Sequence, residues 1–168
     1  MIQVYLGLGS NIDRHRHITA ALDALSRTYG ELSLSSVFES EAVGFDGSPF
    51  FNMVVGLVTE QSIAQLSDRL KQIEDANGRR RQGPKFASRT LDIDILLYGD
   101  WVGDYDGVRL PRDEITKNAF VLWPLAQIAP EREHPTLNNS FAQLWAEYDK
   151  ERQKLRPVPL LWQGRNLS

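Results

Sequence analysis

Apolar residues alternate with polar ones in several short stretches of the chain, and each stretch predicts a strand. Ile2, Val4, Leu6 and Leu8 alternate with Gln3, Tyr5 and Gly7, and this first strand runs into the turn signal Gly7-Leu8-Gly9-Ser10-Asn11. From Asp13 to about Tyr29 the period changes: Ile18, Ala21, Leu22, Leu25 and Tyr29 form one helical stripe, with Asn11 or Asp13 as the expected N-cap and Gly30 as the stop. His15 and His17, two apart, fall on different helix faces and are expected to be solvated. A second strand is expected over Leu32 to Phe38, although its alternation falters at Ser35-Ser36. After a loop from Glu39 to Pro49 comes a third strand, with Phe51, Met53, Val55 and Leu57 on one side and Phe50 and Asn52 on the other. Ser62 and Gln65 have the spacing of a capping box for a second amphipathic helix carrying Ile63, Leu66, Leu70 and Ile73, which ends near Asn77-Gly78.

The fourth strand carries the chemistry. In Ser88 to Tyr98, Leu91, Ile93, Ile95 and Leu97 recur every second residue, so Asp92 and Asp94 share the opposite face. Two residues of strand separate their Cα atoms by roughly 6.5–7 Å, close enough for both carboxylates to reach the same one or two cations. Hard oxygen donors of this kind suit Mg²⁺ completed by water and phosphate oxygens. Arg79, Arg80, Arg81, Lys85 and Arg89 lie just upstream, and five cations within eleven residues repel one another unless an anion sits among them. Carboxylates for metal beside guanidinium groups for phosphate are what phosphoryl-type transfer needs. A solvated edge strand beside a solvated basic loop is the plain alternative.

The order so far is β-α-β-β-α-β, which predicts an α+β fold of ferredoxin-like type: an antiparallel sheet with helices on one face and polar residues on the other. Beyond it, Trp101-Val102 and Val108 to Leu110 predict a hairpin, Phe120 to Ile128 a short apolar helix around Pro124, and Asn139 to Arg152 a last helix. At 168 residues one domain is expected over 1–168, with a core at about 2–152 and a tail at 153–168 that packs back or hangs loose.

Composition narrows the function classes. The chain has no cysteine, which excludes thiolate catalysis, disulfides and Cys-type zinc sites and fits a cytoplasmic protein. No apolar run is long enough to span a bilayer and no targeting segment is recognisable, so no membrane partner is expected. The net charge of −3 disfavours nucleic acid as a partner, whereas the local cationic cluster still suits a small polyanion in one pocket. A monomer is the expected state.

Taken in order, Gly7-Leu8-Gly9-Ser10-Asn11, Phe50-Phe51-Asn52, Arg89-Thr90-Leu91-Asp92-Ile93-Asp94-Ile95, Phe120-Val121-Leu122 with Pro124-Leu125, and Ile128-Ala129-Pro130 with His134-Pro135 resemble the 6-hydroxymethyl-7,8-dihydropterin pyrophosphokinase family over about Ile2 to Trp145. The resemblance implies a ferredoxin-like enzyme of folate synthesis that moves pyrophosphate from ATP to a reduced pterin with two Mg²⁺ ions and releases AMP. It implies that Asp92 and Asp94 hold both metals. It places Arg81 and Arg89 on the triphosphate as catalytic groups, and Lys71, Glu74, Arg79, Ile95 and Arg112 near the nucleotide. Phe50 and Phe120 are implied to stack on the pterin, Asn52 to read its donor and acceptor edge, and Val43 and Gly44 to belong to the loop that covers it.

The chain departs from the family pattern at four places. Arg112 stands where a histidine is usual, Asn118 where an arginine is frequent, Phe86-Ala87-Ser88 where Trp-Gly-Pro is common, and Glu41-Ala42-Val43 where a proline-rich loop is usual. Lys117 and Arg112 are candidates to replace the missing charge. The alternative readings are a divergent pterin- or nucleotide-binding relative without catalysis and, more remotely, a nucleotide-sugar glycosyltransferase.

Overall fold

The computed structural model describes residues 1–41, 47–78 and 90–167. Strand β1 (Ile2–Ser10), helix α1 (Arg14–Tyr29), strands β2 (Ser33–Leu34), β3 (Val37–Ser40) and β4 (Phe50–Thr59), helix α2 (Ile63–Ala76) and strand β5 (Asp92–Tyr98) make the core. The antiparallel sheet runs β5-β1-β4-β3, with β2 also paired to β4, the strand order of a ferredoxin-like βαββαβ unit. Val4, Leu6, Leu8, Met53, Val55, Ile93 and Ile95 turn to α1 and α2, where Ile18, Leu22, Leu25, Leu66 and Leu70 close the core. The expected capping box on α2 is present: Ser62 Oγ accepts from the Gln65 N–H at 3.2 Å and Gln65 Oε1 accepts from the Ser62 N–H at 2.9 Å.

The rest of the chain adds the hairpin β6 (Gly103–Tyr105) and β7 (Val108–Leu110), helices α3 (Glu114–Lys117), α4 (Ala119–Ile128) and α5 (Phe141–Glu147), and strands β8 (Leu155–Val158), β9 (Leu161–Trp162) and β10 (Arg165–Asn166). Helix α4 covers one part of the second sheet face, where Tyr5, Val54, Leu96 and Leu97 meet Val121, Leu122 and Leu125. Only the remainder of that face is open to polar residues. None of the described helices is long and apolar enough to cross a membrane.

Several expectations need correction. Leu97 does not share a face with Ile93 and Ile95. The β1–β5 register shifts between Tyr5 and Leu6, so Leu96 is an extra residue, and Leu97 falls opposite Tyr5 on the α4 side. The second strand breaks in two at Ser35-Ser36, because the Ser35 hydroxyl itself accepts the Val54 N–H at 2.9 Å. Asp13 occupies the N-cap of α1 but makes no side-chain cap. It sits at φ 50° and its carboxylate pairs with Arg16. His17 is not solvated: it is 5 % exposed, and its Nδ1 lies 2.8 Å from Asn77 Oδ1, tying α1 to the end of α2. His15 is exposed as expected.

The hairpin strand begins at Gly103 rather than Trp101, since Asp106 (φ 54°) and Gly107 (φ 83°) make a two-residue turn of type I′. The last helix stops at Glu147 instead of Arg152. Tyr148 is extended, its hydroxyl donates to the Lys117 carbonyl at 2.8 Å, and the Trp145 carbonyl accepts both the Tyr148 N–H at 3.2 Å and the Lys150 ammonium at 2.7 Å. The tail packs back: β8 adds to the sheet beside β3, Leu160 and Trp162 are buried, and the Trp162 indole donates to Asp23 Oδ1 at 2.9 Å.

Candidate active site

Cross-strand register on the open part of the α4 face sets the site. Asp92 lies opposite Gly9, Gly9 opposite Asn52, and Asn52 opposite Phe38, so these residues form one row across β5, β1, β4 and β3. Asp94 lies opposite Gly7 in the neighbouring row. With strands about 4.8 Å apart, Asp92 and Asn52 stand roughly 10 Å from each other, and Gly9 between them brings no side chain of its own. A methyl group on Gly9 would meet Asn52 Oδ1 at 3.1 Å. Gly9 thus makes room for the Asn52 amide and for the Phe50 ring, 3.7 Å from the same point, and these two side chains line the trough between Asn52 and Asp92.

Asn52 is buried, and its amide donates to Ser40 Oγ at 2.7 Å, which holds the side chain in place. Phe50 shares this face beside Ser40 and is half-buried. Asn11, also buried, donates to the Ser48 carbonyl at 3.1 Å and so anchors the segment that leads into Phe50. Phe120 is half-buried in the first turn of α4, where Pro124 lacks the N–H that would take the Phe120 carbonyl.

The carboxylates have an uneven charge environment. Strand β5 is the sheet edge, and the Ile93 N–H on its outer side donates to Glu74 Oε2 of α2 at 2.8 Å. Glu74 is buried, so it holds the strand between the two aspartates by a charge-assisted bond. Ile95 packs its side chain into the core and, two residues on, offers only backbone to that edge. Burial pushes the Asp94 carboxyl up to about 7, the Asp92 charge adds to this, Arg112 opposes it, and Glu114 and Glu74 push further upward. The Arg112 guanidinium lies 3.6 Å from Asp94 Oδ1 and 2.9 Å from Glu114 Oε1. Burial works against its charge, but Asp94 and Glu114 outweigh burial and hold its pKa above the ordinary value. Its Nε is buried without a partner among the described residues, so the group retains donor capacity.

Asp92, Asp94, Asn52 and Phe50 therefore share one face, Arg112 reaches Asp94, Glu74 holds the outer edge of β5, and the Ile95 side chain lies on the opposite, core side. Lys71 is exposed on α2, one turn before Glu74. Val43, Gly44, Arg79, Arg81 and Arg89 lie outside the described residues. Among the described residues no cluster of three or more acidic, histidine or cysteine side chains is arranged to hold a metal ion, so a cation here needs oxygens from a ligand as well. Sequence reasoning missed Ser40, Glu114 and the function of Gly9. The only signal for Gly9 was its place in a strand that otherwise alternates, since a glycine there often marks a close approach.

The family model described as 7,8-dihydro-6-hydroxymethylpterin-pyrophosphokinase matches residues 5–130. A 2-amino-4-hydroxy-6-hydroxymethyldihydropteridine pyrophosphokinase from Pseudomonas aeruginosa is 39 % identical over 140 residues, covering 80 % of this chain and 86 % of that one. One of the same name from Aquifex aeolicus is 36 % identical over 137 residues, covering 80 % and 85 %. Wild-type Plasmodium falciparum HPPK-DHPS has the same fold, with a TM-score of 0.74 at 15 % identity over 98 % of this chain, which spans 49 % of that longer one.

Proposed function

We infer the activity from two things together: the chain belongs to the 7,8-dihydro-6-hydroxymethylpterin-pyrophosphokinase family, and its open sheet face has the chemistry that such an enzyme needs. The chain transfers pyrophosphate from ATP to the hydroxymethyl group of 6-hydroxymethyl-7,8-dihydropterin, a step of folate biosynthesis, and AMP leaves. The observation that carries this reading is the row Asp92-Gly9-Asn52, which sets a carboxylate and an amide at its two ends with only a glycine between them.

In that trough Asn52, held in place by Ser40, reads the edge of the pterin, and Phe50 and Phe120 supply the apolar faces. The hydroxymethyl group then points toward Asp92 and Asp94. The donor set fits Mg²⁺, because two hard carboxylates share one face and the Asp94 carboxyl, pushed up by burial and then by the Asp92 charge, is a site whose ionisation a cation favours. Bound by Asp92 and Asp94, two Mg²⁺ ions would screen the phosphates and ease deprotonation of the attacking hydroxyl.

Glu74 keeps the two aspartates in register through the Ile93 N–H. Arg112, whose Nε lacks a partner among the described residues, turns a guanidinium to the phosphates and takes over the histidine's place in the family pattern. Arg81 and Arg89 are assigned to the triphosphate, Arg79 and Lys71 to its surroundings, and Val43 and Gly44 to the cover of the pterin, all on the resemblance. The attack joins the hydroxymethyl oxygen to the β-phosphorus and breaks its bond to the bridging oxygen that leaves with AMP.

The test is AMP formation from ATP and Mg²⁺ with and without the pterin, followed by chromatography. Pterin-dependent AMP is expected. Pterin binding without AMP would leave only a binding protein.

A further inference from the structure

Two residues from beyond the family match hold the N-terminus of α4. That helix has Asn118 at its N-cap, yet Asn118 makes no side-chain cap. Instead the Ala119 N–H donates to Gln153 Oε1 at 2.8 Å, and Gln153 Nε2 donates to Asn118 Oδ1 at 2.7 Å. One of the four orphan N–H groups of a helix start is thus satisfied from 34 residues downstream. Tyr148 adds its hydroxyl to the Lys117 carbonyl, so residues 117, 118 and 119 are each held by a side chain from the C-terminal arm.

A few residues later the same arm becomes β8 and pairs with β3: Leu155 stands opposite Ser40, and Arg156 stands opposite Glu39 and pairs with it at 2.7 Å. Ser40 is the residue that holds Asn52 in place. The stretch from Tyr148 to Val158 therefore joins the start of α4, which carries Phe120, to β3, which carries Ser40. The family match ends at residue 130, well before this arm.

We propose that this C-terminal arm is part of the acceptor pocket, with Gln153 as a positioning residue that sets the start of α4, and hence Phe120, against the Asn52 wall. The proposal rests on the pyrophosphokinase reading for the identity of the acceptor, a reduced pterin. It also accounts for Asn118. In place of the arginine frequent in the family, a short amide stands here because it meets Gln153.

The experiment compares wild type, Gln153→Ala and Gln153→Glu by steady-state kinetics with ATP and pterin varied separately, with melting temperatures measured alongside. Removing the two hydrogen bonds of Gln153 should raise the pterin KM about three- to tenfold and leave the ATP KM unchanged. Gln153→Glu should restore the pterin KM: a carboxylate still accepts the Ala119 N–H, suits a helix N-terminus, and accepts from Asn118 once that amide turns over. An unchanged pterin KM in Gln153→Ala overturns the proposal even if its melting temperature falls. Equal rises in both KM values also overturn it, because they mean general loosening.

If wild type forms no AMP, the pyrophosphokinase reading fails by itself. The arm is then judged by calorimetric pterin affinity in the same three proteins, with the same expected ranking. No pterin binding by wild type overturns both.

Discussion

Replacing Asp94 by asparagine should make the metal-free protein more stable while abolishing turnover. The Asp94 carboxyl is pushed from 3.8 to about 7 in the folded protein, first by burial and then by Asp92. A group with a raised folded pKa holds a proton that the unfolded chain releases. Its unfavourable ionisation therefore lowers stability as pH rises from 3.8 to about 7, and the full penalty applies above that. At about 1.4 kcal/mol per pKa unit, some three units set a ceiling of about 4 kcal/mol. A third of the side chain remains accessible, and water there screens the repulsion, so the gain expected at pH 8 is about 1–2 kcal/mol. For a chain of this size that is a rise in Tm of roughly 2–8 °C. The assay is thermal unfolding with EDTA at pH 8 and at pH 4, where the two proteins should converge. A lower Tm for Asp94→Asn at pH 8 would refute the charge argument, and retained turnover would refute the metal role.

Gly9→Ala should raise the pterin KM about tenfold, because the new methyl group displaces the Asn52 amide 3.1 Å away; unchanged pterin kinetics would remove the close-approach argument. Glu74→Ala leaves the Ile93 N–H at the sheet edge without its acceptor, and urea unfolding should show a loss of about 1–3 kcal/mol. His134 has its pKa lowered by burial, and its Nδ1 accepts from the Thr136 and Leu137 N–H groups. Its stabilisation is complete above 6.5 and is lost as pH falls from there toward the lower folded pKa, so His134→Ala should flatten the stability profile across that range.

The residues that make the site were legible wherever a local pattern carried them. Asp92 and Asp94 showed in a strand of alternating residues, and Ser62 with Gln65 showed as a capping box. What stayed hidden depends on partners far away in the chain. Nothing local announces the register shift that sends Leu97 to the other face, because it is settled by Tyr5 and Leu6 on the neighbouring strand. His17 reads as a surface residue until Asn77 arrives beside it from 60 positions away. The helix expected up to Arg152 has ordinary helix formers, yet Tyr148 leaves it to bind Lys117, and Gln153 just beyond it binds Asn118 and Ala119. Gly9 was visible as a glycine, but that its missing side chain makes room for Asn52 is a fact of strand pairing.

Pyrophosphate transfer requires this sheet face to direct a hydroxymethyl oxygen to the β-phosphorus of ATP. Phosphorus-31 NMR of one reaction containing the purified protein, ATP, Mg²⁺ and 6-hydroxymethyl-7,8-dihydropterin tests it most directly. AMP and the pterin diphosphate should appear in equal amounts, with no ADP and no free pyrophosphate. ADP with a pterin monophosphate, or AMP with pyrophosphate and unchanged pterin, would contradict it.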